Sequence, residues 1–76
     1  MARITPIPSR TFIKFLTHIG CKEIRQKGRH IIFSYPNIKR PVVIQANTTL
    51  PVFIIMNNLR LLKISHNEYL RILERI

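Results

Sequence analysis

Apolar residues change their spacing several times along this chain, and each change predicts a new element. Phe12, Ile13, Phe15, Leu16 and Ile19 recur every three or four residues, which puts them on one face of an α-helix. Ser9 is placed to cap that helix and Gly20 to end it. Residues 21 to 27 hold no helical stripe and predict a polar, partly exposed strand that runs into a turn at Lys27 and Gly28. Residues 30 to 35 predict the next strand, Pro36 and Asn37 a reversal, and Val42, Val43 and Ile44 a third short strand. Three consecutive strands joined by short turns predict an antiparallel sheet.

Thr48 and Thr49, followed by Pro51, mark the expected start of a second helix that runs through Lys63. Ile55, Leu59 and Leu62 form one stripe of it, while Phe53, Ile54, Met56 and Leu61 point elsewhere and Asn57, Arg60 and Lys63 are left to meet water. Such a helix is either sandwiched or waiting for a partner. Ser65 and Glu68 have capping-box spacing and open a last helix with Tyr69, Leu70, Ile72, Leu73 and Ile76 on its inner face. The expected fold is therefore α+β in the order α-β-β-β-α-α, with helices packed on one face of a three-stranded antiparallel sheet.

Composition narrows what such a fold can do. The 76 residues suffice for one small domain spanning 1–76, whose active site must be open and shallow because no second lobe exists to enclose it. A hydrophobic content of 46% supports a packed core and argues against a disordered basic tail. No linker, low-complexity tract or internal repeat interrupts the chain. The single cysteine, Cys21, cannot form an intrachain disulfide and reads as a small core residue. The longest apolar stretch, Leu50 to Met56, contains Pro51 and falls far short of the roughly 20 residues that span a bilayer. With an N-terminus that lacks an apolar secretory segment, these features predict a cytoplasmic protein without membrane attachment. Thirteen Lys and Arg against three acidic residues give a formal charge of +10, which points first to nucleic acid, then to an acidic protein partner, then to an anionic membrane.

Candidate chemistry concentrates in residues 25 to 33, Arg-Gln-Lys-Gly-Arg-His-Ile-Ile-Phe, where a basic turn through Gly28 delivers His30 to the start of a strand. Residues 22 to 40 carry six of the thirteen cations, Lys22, Arg25, Lys27, Arg29, Lys39 and Arg40, against one acid, Glu23. Metal-free RNA cleavage requires a base for the ribose 2′-hydroxyl, an acid for the departing 5′-oxygen, and cations for the charge that builds on phosphorus. His30 can serve in either proton transfer, and Arg25, Lys27 and Arg29 can supply the charge. A histidine at a strand end can equally be a solvated side chain. His18 and His66 read as surface residues. No metal-ligand spacing of Cys and His occurs, and Glu23, Glu68 and Glu74 are too few and too scattered for a carboxylate-held metal, so no cofactor is expected. Tyr35 and Phe33 are candidates to stack on bases, with core packing the competing role for each. A ribonuclease, a non-catalytic RNA-binding module and a protein whose basic face binds an acidic partner all fit these residues.

The Ile19-Gly20 helix end, the Lys27-Gly28-x-His30 turn, Pro36, the Val42-Val43 strand and the Ile64-Ser65-x-x-Glu68-Tyr69 segment together resemble the HicA toxin family of toxin–antitoxin systems. The resemblance implies a fold like a double-stranded RNA-binding domain and the activity of an mRNA interferase, an RNA endonuclease that blocks translation. It further implies His30 as the catalytic residue and neutralisation by a HicB-type antitoxin that covers the active site. Where many relatives carry Pro-x-His at the end of the third strand, this chain has Ile44-Gln45-Ala46, so no second histidine is expected there. A glycine common before the final capping box is Lys63 here. Phe53, Ile54 and Met56 replace polar positions of the second helix and are the expected antitoxin contacts, or the means of self-association.

Overall fold

A computed structural model describes residues 3–76. Eight elements follow one another: β1 (Ile7–Pro8), α1 (Ser9–His18), β2 (Lys22–Lys27), β3 (His30–Ser34), β4 (Val42–Gln45), β5 (Thr49–Leu50), α2 (Val52–Leu62) and α3 (His66–Leu73). Strands β2, β3 and β4 form an antiparallel sheet in that order, and the α-β-β-β-α-α plan holds once the two-residue strands β1 and β5 are set aside.

One face of the sheet supplies Ile31, Phe33, Val42 and Ile44 to a core that receives Phe12, Phe15 and Leu16 from α1, Ile55, Leu59 and Leu62 from α2, and Tyr69 from α3. All three helices thus contribute to one core on this face of the sheet, Tyr69 of α3 packing on Phe12 and Phe15 of α1, which leaves the other face open. Phe15 meets Tyr69 edge-on, with ring centroids 4.9 Å apart at 85°, and Phe12 lies 5.4 Å from Phe15. Cys21 joins this core, where burial pushes its thiol from the ordinary 9.0 up to about 11 and leaves it a poor nucleophile.

Several local expectations are corrected. Ser9 does not cap α1: Pro8 holds that position, and Ser9 is the first helical residue, buried, with its amide donating to the Thr48 carbonyl and its Oγ accepting from the Thr48 amide. Thr48 and Thr49 do not start α2 either. Thr49 and Leu50 pair with Pro8 and Ile7 as the ribbon β1–β5, and Pro51 caps the helix. A two-residue strand is too short to show alternation, so only the docking of the chain start against residues 48–50 reveals it. Ile76 is exposed, not on an inner face, because α3 ends at Leu73. The Ser65 cap is present, its Oγ accepting from the Glu68 amide at 3.1 Å.

Helix α2 ends on Lys63 in the left-handed region, φ +61, with the Ile64 amide closing back on the Leu59 carbonyl. A side chain there costs roughly 1–2 kcal/mol, of which the greater unfolded-state freedom of glycine gives back about half. Lys63→Gly is therefore expected to stabilise the domain by about 0.5–1 kcal/mol in urea denaturation. Loss of stability would show that the Lys63 side chain makes contacts worth more than that strain.

Among the described residues the Tyr69 hydroxyl is buried without a hydrogen-bond partner, and burial raises its pKa from 10.0 to about 12. An unpaired buried hydroxyl costs about 1–3 kcal/mol, so Tyr69→Phe is expected to raise the melting temperature. Between pH 10 and 12 the unfolded chain releases this proton while the folded chain keeps it, so Tyr69 makes stability fall as pH rises through that window. Tyr69→Phe should flatten the fall, which thermal melts at alkaline pH would record.

Candidate active site

The site is built on the β2–β3 hairpin. Strand β2 ends at Lys27 and β3 begins at His30, so Gly28 and Arg29 form a two-residue loop, and Gly28 takes φ +60. A Cβ at Gly28 would meet nothing within 4 Å, so the requirement for glycine is conformational, not steric. The Gly28 carbonyl accepts from Gln26 Nε2 at 3.1 Å, and the Arg29 carbonyl accepts from the Ala46 amide, which pins the end of β4 to the turn.

Because Ile31 and Phe33 point into the core, His30, Ile32 and Ser34 point to the open face. His30 is paired with Lys27 on one side and Gln45 on the other. Directly opposed residues hold their Cβ atoms about 4.5–5.5 Å apart, so ammonium, imidazole and amide stand in one row across the sheet. The next row is Arg25, Ile32 and Val43, and the one beyond it begins with Lys22 opposite Ser34. A bulge at Ile24 makes this possible. Without the extra residue, Lys22 and Arg25, three apart, would face opposite sides; with it Lys22, Arg25 and Lys27 share the open face.

His30 also lines a shallow cleft of about 400 Å³ together with Gln45, Thr48, Thr49, Pro51 and Ile54. The cleft therefore combines one imidazole, one amide and two hydroxyls with an apolar wall, and no carboxylate. Gln45, Thr48 and Thr49 were not among the expected site residues. The partner of His30 depends on where the reversal is centred: between Pro36 and Asn37 it would be Val43, whereas the observed centre between Asn37 and Ile38 makes it Gln45. Ala46, at the position of the absent second histidine, is buried.

Other expected site residues lie elsewhere. Lys39 and Arg40 sit in the β3–β4 connection, at the opposite end of the sheet from His30, a separation of at least the ~13 Å that a five-residue strand spans. Phe33, 1% exposed, belongs to the core and has no face free for a base, whereas Tyr35 is half-buried. The three apolar residues of α2 divide: Ile54 reaches the His30 cleft, Met56 lines a separate groove with Val52, His66 and Leu70, and Phe53 between them is 64% exposed. His18 and His66 are at the surface. Among the described residues no three His, Cys, Asp or Glu side chains come together, and no helix is long and apolar enough to cross a membrane.

No curated protein and no solved structure matches the chain. The family model described as HicA toxin of bacterial toxin–antitoxin systems does match, over residues 9–64. That interval runs from the start of α1 past the end of α2 and contains the hairpin, His30 and the whole cleft around it. With most of its length and its entire candidate site inside the match, the chain belongs to the HicA toxin family.

Proposed function

We propose that this toxin is an RNA endonuclease, an mRNA interferase that needs no metal and uses His30 as its general acid or base. Family membership supplies the toxin role and an antitoxin partner. The observation that carries the chemistry is the row Lys27–His30–Gln45, of which His30 and Gln45 line the cleft. A 2′-hydroxyl deprotonated at His30 attacks the adjacent phosphorus, the bond to the 5′-oxygen breaks, and a 2′,3′-cyclic phosphate and a 5′-hydroxyl result. His30 handles one proton transfer, and water reaching this open face handles the other. Lys27 and Arg29, with Arg25 one row away, stabilise the charge on the phosphoryl oxygens, while Gln45, Thr48 and Thr49 hold the strand by hydrogen bonds. Gly28 sets the turn, and Lys22, Lys39 and Arg40 contact RNA away from the bond that breaks.

A HicB-type antitoxin would silence this site by seating on Ile54 and Phe53, because Ile54 shares the cleft with His30. Met56 extends that contact toward α3. A concentration-dependent dimer lost on Phe53→Ser would assign the patch to self-association instead.

The test is incubation of purified protein with a long single-stranded RNA in excess EDTA, with the fragment ends analysed. Cyclic phosphate ends are expected. Intact RNA under conditions where the protein binds it would favour the second reading, a non-catalytic RNA-binding module. One observation supports that alternative: among the described residues, the polar groups that share the cleft with His30, on Gln45, Thr48 and Thr49, are not acid–base groups near neutral pH.

A further inference from the structure

A second concentration of charge lies at the far end of the molecule. Helix α2 spans about 16 Å for its 11 residues, with its first turn at the His30 cleft and its last turn beside the β3–β4 connection. There Arg60 and Lys63, from the end of the helix, meet Lys39 and Arg40, from the connection, around a groove of about 280 Å³. Ile38 and Leu61 supply its apolar lining, and among the described residues no carboxylate lines it. Cations at a helix C-terminus are favoured by the helix dipole, which accounts for Arg60 and Lys63 taken singly. It does not account for two more on the neighbouring turn, whose mutual repulsion opposes folding at low salt unless a polyanion fills the groove.

The surroundings indicate which polyanion. On the other flank of Lys39 and Arg40, a groove of about 240 Å³ presents Ile24, Tyr35 and Ile38. Ile24 is 58% exposed there, held out by the β2 bulge. A cationic groove beside an apolar, aromatic shelf suits the phosphate and base of a single strand. Lys22 and Arg25, on the open face of β2, carry positive charge from the His30 row toward this end.

We propose that Lys39, Arg40, Arg60 and Lys63 form a second RNA-binding site, which grips a single strand a few nucleotides from the bond at His30 and offers Tyr35 to one of its bases. The inference rests on the reading of the protein as an RNA endonuclease and names the form of its substrate. It makes affinity depend on strand length, since a fragment too short to reach both ends of the sheet gains nothing from the distal groove.

The experiment uses the His30→Ala protein, so that RNA stays intact, and a fluorescently labelled single-stranded RNA of about a dozen nucleotides. Binding is followed by anisotropy over a salt series. One variant adds Lys39→Gln, Arg40→Gln and Arg60→Gln. A matched control adds Lys14→Gln, Arg71→Gln and Arg75→Gln, which remove the same charge from exposed positions elsewhere. Removing one cation that neutralises a phosphate lowers the slope of log K against log salt by about 0.7, so the distal variant should lose about 2 from its slope and bind about tenfold or more weakly. The control should stay near its parent. Tyr35→Leu, which keeps an apolar side chain against the core, should weaken binding by about fivefold or more.

Equal slopes in the distal variant and its parent, or equal losses in distal variant and control, would overturn the proposal. An unchanged RNA slope with lost affinity for poly-glutamate would overturn it in favour of an acidic protein partner. Unchanged affinity in Tyr35→Leu would remove the base from the site. Cleavage is not needed for this readout: a wild type that binds without cutting sinks the endonuclease reading alone, and a wild type that cuts with no distal slope change sinks this inference alone.

Discussion

His30→Ala is expected to lower the rate of RNA cleavage by about 10²–10⁴-fold, the usual worth of one positioned proton-transfer group. RNA affinity should stay near that of the wild type, because binding of this kind rests mainly on phosphate contacts and the cations are untouched. His30 is exposed at the end of β3, so its removal should shift stability by no more than about 0.5 kcal/mol. That separation makes the experiment informative. Single-turnover cleavage, anisotropy and a thermal melt on the same preparation distinguish lost chemistry from lost binding or lost folding. Cleavage at an undiminished rate would move the chemistry to another group, and weakened affinity with unchanged single-turnover rate would make His30 a contact residue.

Phe15→Ala is expected to have the largest effect on folding, a loss of about 3–5 kcal/mol. Phe15 is fully buried on α1 and touches both Phe12 and Tyr69, so it joins the first helix to the last. At roughly 0.05–0.15 kcal/mol per residue, a 76-residue domain has only about 4–11 kcal/mol in total. The variant should therefore be marginal or unfolded at physiological temperature, measurable by urea denaturation at low temperature, and toxicity should vanish with His30 intact. A loss below about 1 kcal/mol would mean that the three helices do not share one cooperative core.

On the proposed reading, antitoxin binding and catalysis would be coupled through one detail of α2. Because Ile54 lines the same cleft as His30, a partner that buried Ile54 would also cover the imidazole, with no conformational change required. Met56 and Phe53 lie outside that cleft, so they can add affinity without touching the chemistry.

Much of this was legible in the residues. The stripes of α1 and α3, the end of α1 at Gly20, the hairpin at Gly28 and the cap at Ser65 follow from side-chain period and from the few residues that tolerate positive φ or cap a helix. His30 could be named from the turn that precedes it. Local signals also misled where two readings competed for one residue. Ser9 and Thr48 both carry capping-type hydroxyls, yet the Ser9 Oγ accepts from the Thr48 backbone amide 39 positions away, and neither residue caps a helix.

Periodicity and backbone preference within a few neighbours were enough for the three helices, the three strands of the main sheet, the basic hairpin and its histidine, but not for the two-residue strands β1 and β5. Tertiary structure alone decided what surrounds that histidine and how the charge divides. Register placed Gln45 and Lys27 on either side of His30, and one bulged residue turned Lys22 to the face shared by Arg25 and Lys27. The length of α2 carried Arg60 and Lys63 to Lys39 and Arg40, well removed from them in the chain, while leaving Ile54 at the other end beside His30. The physical reason is the same in each case: pairing across strands and packing between elements bring together residues whose separation in sequence carries no signal of their contact.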